Sequence, residues 1–207
     1  MHDELVIYTG NKINPTKALI MLHGRGASAE GILQLAEDLH VRDFLLAAPQ
    51  ATNNSWYPNS FLAPPVKNEP WLSSALKLVH KTVNDLVYQG IGFSNIYFLG
   101  FSQGACLTLE YTARHANKYG GIVAFTGGLI GDRIYTENYD GNFASTPVFI
   151  GSSDPDFHVP VERVRATSNI FRKMEADLTE SIYKNMGHTV NQDELDQANK
   201  LVFNQTL

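Results

Sequence analysis

Asn95-Ile96-Tyr97-Phe98-Leu99-Gly100-Phe101-Ser102-Gln103-Gly104-Ala105 runs from an apolar stretch, through a serine flanked at two-residue spacing by glycines, into a helix-forming segment. A strand turning directly into a helix leaves the central residue in a strained backbone conformation. Only residues without bulky side chains fit on either side of it, and Gly100 and Gly104 supply that room. The helix that starts at the turn aims unpaired N–H groups and a partial positive charge at whatever negative charge develops beside the serine. Gly-x-Ser-x-Gly alone is common in ordinary turns, so the strand before it and the helix after it are what make Ser102 a candidate nucleophile.

Outward from this turn, apolar runs alternate with helical patterns. Strands are expected at Ala18 to Leu22, Phe44 to Ala47, Asn95 to Leu99, Gly121 to Phe125, Pro147 to Ile150 and Glu180 to Tyr183, with an edge strand near Leu5 to Tyr8. Most are continuously apolar, as in a parallel sheet covered on both faces. Between them, Ser28 caps a helix carrying Ile32, Leu35, Ala36 and Leu39, and Pro70 opens one carrying Leu72, Leu76, Val79, Val83 and Leu86. Pro160 opens a third, with Val161, Val164, Phe171 and Met174 inward, and Asn191 with Glu194 starts the last. The alternation predicts a doubly wound, mostly parallel α/β fold with helices on both faces, one domain over residues 1–207, and a site at the carboxyl ends of the strands.

A serine hydroxyl is a poor nucleophile unless a base takes its proton, so a histidine oriented by a carboxylate is required. In this fold the order is Ser, acid, His. Of seven histidines, only His158 and His188 follow Ser102 after further strands, and His188 stands in the turn after the last strand. It is the candidate base, and His158 reads as a local packing or helix-entry residue. The acid belongs after the strand ending near Ile150, where Asp154 and Asp156 compete and spacing does not decide between them. Backbone N–H groups must also face the developing alkoxide. Gln103 supplies one by position, and the loop His23-Gly24-Arg25-Gly26-Ala27-Ser28 supplies the other, at Arg25. The Arg25 guanidinium has two readings: it reaches a carboxylate on the substrate, or it forms an ordinary salt bridge or faces solvent.

The aperiodic segment Ala51 to Glu69 carries Trp56, Tyr57 and Phe61 between prolines, and is expected to wall a substrate pocket rather than pack only on itself. Its stiffness favours short acyl chains. The single cysteine, Cys106, reads as a buried packing residue.

Composition narrows the classes. The chain has 207 residues, 43% of them hydrophobic, enough for a sizeable core, and a net charge of −5 without a lysine or arginine run. Nucleic acid is a poor partner on that ground. No apolar run reaches the roughly 20 residues of a membrane span, which speaks against stable membrane insertion. The expected location is cytoplasmic, the expected partner a small-molecule ester, and a homodimer is left open. No Cys/His or His/Glu pair has zinc-ligand spacing, so neither metal nor cofactor is expected.

The set His23-Gly24-Arg25-Gly26, Trp56-Tyr57-Pro58 with Ser60-Phe61, Asn68-Glu69-Pro70, Gly100 to Ala105, Asp156-Phe157-His158-Val159-Pro160 and Gly187-His188-Thr189 resembles the phospholipase/carboxylesterase family of α/β-hydrolases, the group that includes acyl-protein thioesterases. The likeness runs in order from about residue 18 to 195. In that family the acid precedes two residues and then Val-Pro, which implies Asp156. The resemblance also implies Ser102 as nucleophile, His188 as base and the N–H groups of Arg25 and Gln103 as oxyanion hole. Eukaryotic thioesterases usually have leucine where Arg25 stands, and the Trp-Tyr-Pro loop is more similar to bacterial carboxylesterases. The expected activity is therefore that of a serine esterase, with a thioesterase or lysophospholipase-type acyl hydrolase as the alternative. A non-catalytic ligand-binding protein of the same fold is the rival from another class.

Overall fold

The structure, a computed structural model, describes residues 1–203. Seven strands form one sheet in the order β1-β3-β2-β4-β5-β6-β7. They are β1 Val6–Gly10, β2 Ala18–Leu22, β3 Leu45–Pro49, β4 Ile96–Phe101, β5 Gly121–Phe125, β6 Pro147–Asp154 and β7 Asp177–Lys184. Only β1 is antiparallel, on β3 at one edge. The central strands β2, β3 and β5 are buried at every position. That is why they read as unbroken apolar runs, and why both faces need helices.

The helices are α1 Ala29–Leu33, α2 Trp71–Tyr88, α3 Gln103–Arg114, α4 Val161–Lys173 and α5 Gln192–Leu201. One core packs α2, α3 and α4 against Ile20, Phe98, Ala124 and Ile150. The other packs α1 and α5 against Met21, Leu99, Val123 and Phe149. Alternate residues of one strand thus serve opposite cores, the period-2 rule of an extended chain. No described helix is long and apolar enough to cross a membrane.

Several elements differ from expectation. The first helix stops at Leu33 and continues as a 3-10 turn over Gln34–Asp38. Gly31 lowers helix propensity inside it, and the tighter turn swings Leu39 and Val41 back under the sheet, where both are buried. Strands β6 and β7 are each longer than their apolar runs. Ser152, Ser153 and Asp154 pair with Ile182, Tyr183 and Lys184, since ladder hydrogen bonds use backbone groups and not apolar side chains. Pro70 and Pro160 stand at the N-cap positions of α2 and α4 rather than in their first turns.

The elbow forms as the spacing requires. Ser102 has φ 55° and ψ −118°, a conformation unfavourable to any residue with a Cβ. A Cβ on Gly100 would overlap the Gly104 carbonyl, and one on Gly104 would overlap the carbonyls of Leu22 and His23. The start of α3 therefore touches the backbone of both β4 and β2. Gly104→Ala should destabilise the protein by about 1–3 kcal/mol through this overlap. Gly92→Ala should leave it unchanged, because φ there is −68° and nothing stands within 4 Å of the added Cβ. Urea unfolding of the two variants checks this, and equal stabilities would show that the close approach is not a constraint.

Candidate active site

Four strands deliver the site residues at their carboxyl ends. His23 follows β2, Ser102 follows β4, Asp156 lies just past β6, and His188 lies in the turn after β7. His188 Nε2 is 2.8 Å from Ser102 Oγ, and His188 Nδ1 is 2.8 Å from Asp156 Oδ2. The second carboxylate oxygen, Asp156 Oδ1, accepts the backbone N–H groups of His158 at 2.7 Å and Val159 at 2.9 Å. The Asp156 side chain is fully buried. Burial alone would raise its pKa, but the hydrogen bonds from His188, His158 and Val159 outweigh that and hold the carboxyl below its usual range. It stays ionised and fixes the imidazole with Nδ1 as donor and Nε2 as acceptor toward the serine. Asp154, the rival acid, is exposed at the last position of β6 and paired through its backbone with Lys184.

The backbone N–H groups of Arg25 and Gln103 donate to no group among the described residues. Both residues line the cavity, of about 400 Å³, that also holds Ser102 and His188. Tyr57, Phe61, Cys106 and Val159 supply its apolar wall, and Asn59, Ser60 and His158 its polar rim. No carboxylate side chain lines it. Cys106 is buried and its thiol is pushed up to about 12 by that burial, so it serves as wall and not as a reactive group.

Of the three aromatics expected to line the pocket, Tyr57 and Phe61 do and Trp56 does not. Trp56 is fully buried behind the wall, where its indole N–H donates to the His23 carbonyl at 2.8 Å. An indole is large enough to fill the space between the loop and β2, and its polar edge finds a partner there that the open cavity lacks. His158 stands at the entry to α4, as one of its two readings had it, but it is not a packing residue. Its backbone holds Asp156, but its ring is exposed and stands edge-on to His188, with centroids 4.9 Å apart.

Two side chains act in ways the sequence pattern did not indicate. The buried Gln103 amide clamps the loop: its Oε1 accepts the Trp56 N–H at 2.9 Å and its Nε2 donates to the Tyr57 carbonyl at 2.8 Å. The exposed Arg25 guanidinium forms no salt bridge among the described residues. It donates instead to Ser55 Oγ and to the carbonyls of Pro58 and Asn59. Beneath them, His23 is buried, with Nδ1 2.7 Å from the Gly24 carbonyl and Nε2 accepting the Ala51 N–H at 3.1 Å. Burial lowers its pKa and keeps it neutral. His2 bridges Thr52 and Trp56 in the same manner. A loop with glycine and aromatics signals such a scaffold only in outline, because its partners in the loop are 28 to 54 positions away in sequence.

The profile of the family described as Phospholipase/Carboxylesterase matches residues 2–204. A phospholipase/carboxylesterase of known structure from Dyadobacter fermentans DSM 18053 is 49% identical, with a TM-score of 0.96 over 98% of this chain and 97% of its own. Acyl-protein thioesterase 1 of Saccharomyces cerevisiae is 31% identical over 89% of this chain and 91% of its own. The probable carboxylesterase SOBER1-like of Arabidopsis thaliana is 26% identical over 86% and 74% respectively.

The Gln103 clamp has a measurable consequence. Gln103→Leu strands a buried N–H at Trp56 and a carbonyl at Tyr57, a loss of about 1–3 kcal/mol. Arg25→Ala removes only solvent-exposed hydrogen bonds and should cost less than about 0.5 kcal/mol. Chemical denaturation of both variants tests the order, and a Gln103→Leu protein as stable as the parent would deny the clamp its role.

Proposed function

The chain belongs to the phospholipase/carboxylesterase family, a family of esterases and thioesterases, and from that premise we propose that it is a serine carboxylic-ester hydrolase acting on small or short-acyl esters through an acyl-enzyme. The observation that carries the reading is the continuous relay from Ser102 Oγ through His188 to the buried Asp156, at 2.8 Å in each step, opening into a cavity with two free N–H donors.

In the proposed reaction His188 Nε2 takes the Ser102 proton as Oγ attacks the ester carbonyl. The carbonyl oxygen becomes an alkoxide facing the N–H groups of Arg25 and Gln103, which are already oriented by their own backbones. Asp156 remains an anion beside the imidazolium. His188 then gives the proton to the departing alcohol oxygen, and the carbonyl reforms as the acyl-serine ester. In the second half a water loses its proton to His188, attacks the acyl carbon, and Ser102 leaves with that proton. The thioesterase reading rests on the similarity to acyl-protein thioesterase 1 and uses the same steps with a thiol leaving. Paired esters and thioesters of one acyl group separate the two.

Ser102→Ala should lower hydrolysis of p-nitrophenyl butyrate by about 10³-fold or more while the protein stays folded, and should abolish labelling by a fluorophosphonate. Asp156→Asn should cripple turnover and Asp154→Asn should be much milder. Undiminished activity in Ser102→Ala, or the reverse order of the two aspartate variants, would overturn the assignment.

Acyl length gives a further test. Each methylene that finds room adds about 0.8 kcal/mol, so kcat/KM should rise over the first carbons and fall once the chain meets Phe61 and Tyr57. Phe61→Ala, not a change at the hidden Trp56, should move the optimum to longer chains. A series of p-nitrophenyl esters from acetate to palmitate reads the optimum. A maximum at palmitate in both proteins would show that this wall does not limit the acyl group.

A further inference from the structure

A second cavity, of about 390 Å³, lies on the other side of the site. Its walls are Ala27, Ile32 and Leu35 from the start of α1 and the turn after it, Phe101 below, and Val190 beside His188. His23 and Thr189 also line it, and among the described residues no Asp, Glu, Lys or Arg does. It shares a single residue, His188, with the cavity that holds Ser102 and the two N–H donors. The two spaces approach each other at Gly24, where a Cβ would stand 3.5 Å from Ser102 Cβ and 3.2 Å from the Phe101 ring. Any side chain at Gly24 would press on Phe101 at that junction.

We propose that this cleft is the leaving-group subsite and that it takes an apolar alcohol or thiol portion of the substrate. The inference rests on the hydrolase reading above and extends it to substrate class. A tetrahedral intermediate on Ser102 has three further substituents, each tied to a different group. The alkoxide faces the N–H groups of Arg25 and Gln103. The leaving oxygen must lie against His188 Nε2, because that atom returns the proton as the C–O bond breaks. The acyl chain takes the remaining direction, away from His188, toward Tyr57, Phe61 and Cys106. A group attached to the leaving oxygen passes beside His188 and Gly24, and the space there is the apolar cleft. The ring of His188 is 5.4 Å, centroid to centroid, from Phe101, which makes the cleft floor continuous with the elbow. Apolar walls gain from burying hydrocarbon and lose when they desolvate a charge without pairing it. The cleft therefore selects alkyl or aryl leaving groups over cationic or zwitterionic ones.

The test holds the acyl group fixed as acetate and varies the alcohol among ethyl, hexyl, 2-phenylethyl and choline. The alkyl alcohols have similar acidity, so differences between them report binding and not intrinsic reactivity. In the parent protein kcat/KM should rise at least about tenfold from ethyl to hexyl acetate, less than four fully buried methylenes would give. The choline ester should show no gain over ethyl. Leu35→Asp places a charge on the rim, and Ala27→Trp fills the cleft from an exposed position. Both should collapse the hexyl-to-ethyl ratio toward one. The ratio is independent of how much of a variant is folded. A parent ratio near one, or a ratio unchanged in both variants, overturns the subsite while ester hydrolysis and Ser102 labelling persist. A parent protein that hydrolyses none of these esters and takes no fluorophosphonate label overturns the hydrolase reading, and the subsite with it.

Discussion

The contact on which the site depends is the one between the first turn of α3 and the ends of β2 and β4. Gly104 lies against the Leu22 and His23 carbonyls, and Gly100 against Gly104. Neither separation leaves room for a Cβ, so the helix start is driven into the sheet at its centre and Ser102 is held at positive φ above it. A strained serine conformation costs of order 1–3 kcal/mol and persists only where its surroundings over-determine it. Here the over-determination is visible. The Ser102 N–H donates to the Phe125 carbonyl at 3.0 Å, and its own carbonyl accepts the Cys106 N–H at 3.0 Å. The serine is thus tied to β5 on one side and to α3 on the other. Its hydroxyl, free of these ties, meets His188 Nε2 at 2.8 Å.

The same contact governs the loop over the site. Gln103 is the residue after the strained serine, so its side chain points where the elbow aims it, and it meets the backbone of Trp56 and Tyr57. Arg25, in the other donor loop, meets the backbone of Pro58 and Asn59. The two cavity-lining residues whose N–H groups have no acceptor among the described residues therefore also hold its wall through their side chains. Wall and donors cannot shift independently, and a substrate pressed against Tyr57 and Phe61 is referred to the same frame as the carbonyl it presents. Positioning of this kind converts binding contacts into orientation of the reacting bond. The Gln103 half of it arises from neutral, buried hydrogen bonds, which salt screens far less than exposed charged contacts such as those of Arg25.

Sequence disclosed the parts of this arrangement that depend on local pattern. Continuous apolar runs located the inner strands, and Gly100-x-Ser102-x-Gly104 located the elbow, because both express constraints between residues a few positions apart. His188 was legible from its place after the last strand. Asp156 was not separable from Asp154 by spacing alone, and only the likeness of Asp156-Phe157-His158-Val159-Pro160 to a family pattern chose it. The physical distinction is that two backbone N–H groups, at His158 and Val159, turn inward to meet Asp156 and none of this can be counted from a strand end. Trp56 was misplaced for a related reason. An aromatic in a loop over a site reads as lining, but the His23 carbonyl and imidazole 33 positions earlier offered the indole a better partner. The extensions of β6 and β7 were hidden because a ladder built by Ser152, Ser153 and Lys184 has no apolar signature.

The charges of the site are arranged around one buried anion. His23 and His2, both under the loop, are kept neutral by burial, which outweighs the pull of the backbone carbonyls they contact toward the charged form. Neither adds a competing positive charge below the serine. Asp156 has three donors, and one of them is the imidazole that becomes cationic during the proposed attack. As the proton moves from Ser102 to His188, the new positive charge appears against a carboxylate already in place. In the proposed attack the new negative charge meets the Arg25 and Gln103 N–H groups, which no acceptor among the described residues occupies. Because both partners are fixed before the charges form, little reorganisation accompanies their formation, which is the main source of stabilisation in a site of this type. The apolar cleft beside His188 completes the logic. A hydrocarbon leaving group there would exclude water from one flank of the imidazolium and strengthen its interaction with Asp156 while the bond breaks, then vacate the flank and admit the water that deacylation requires.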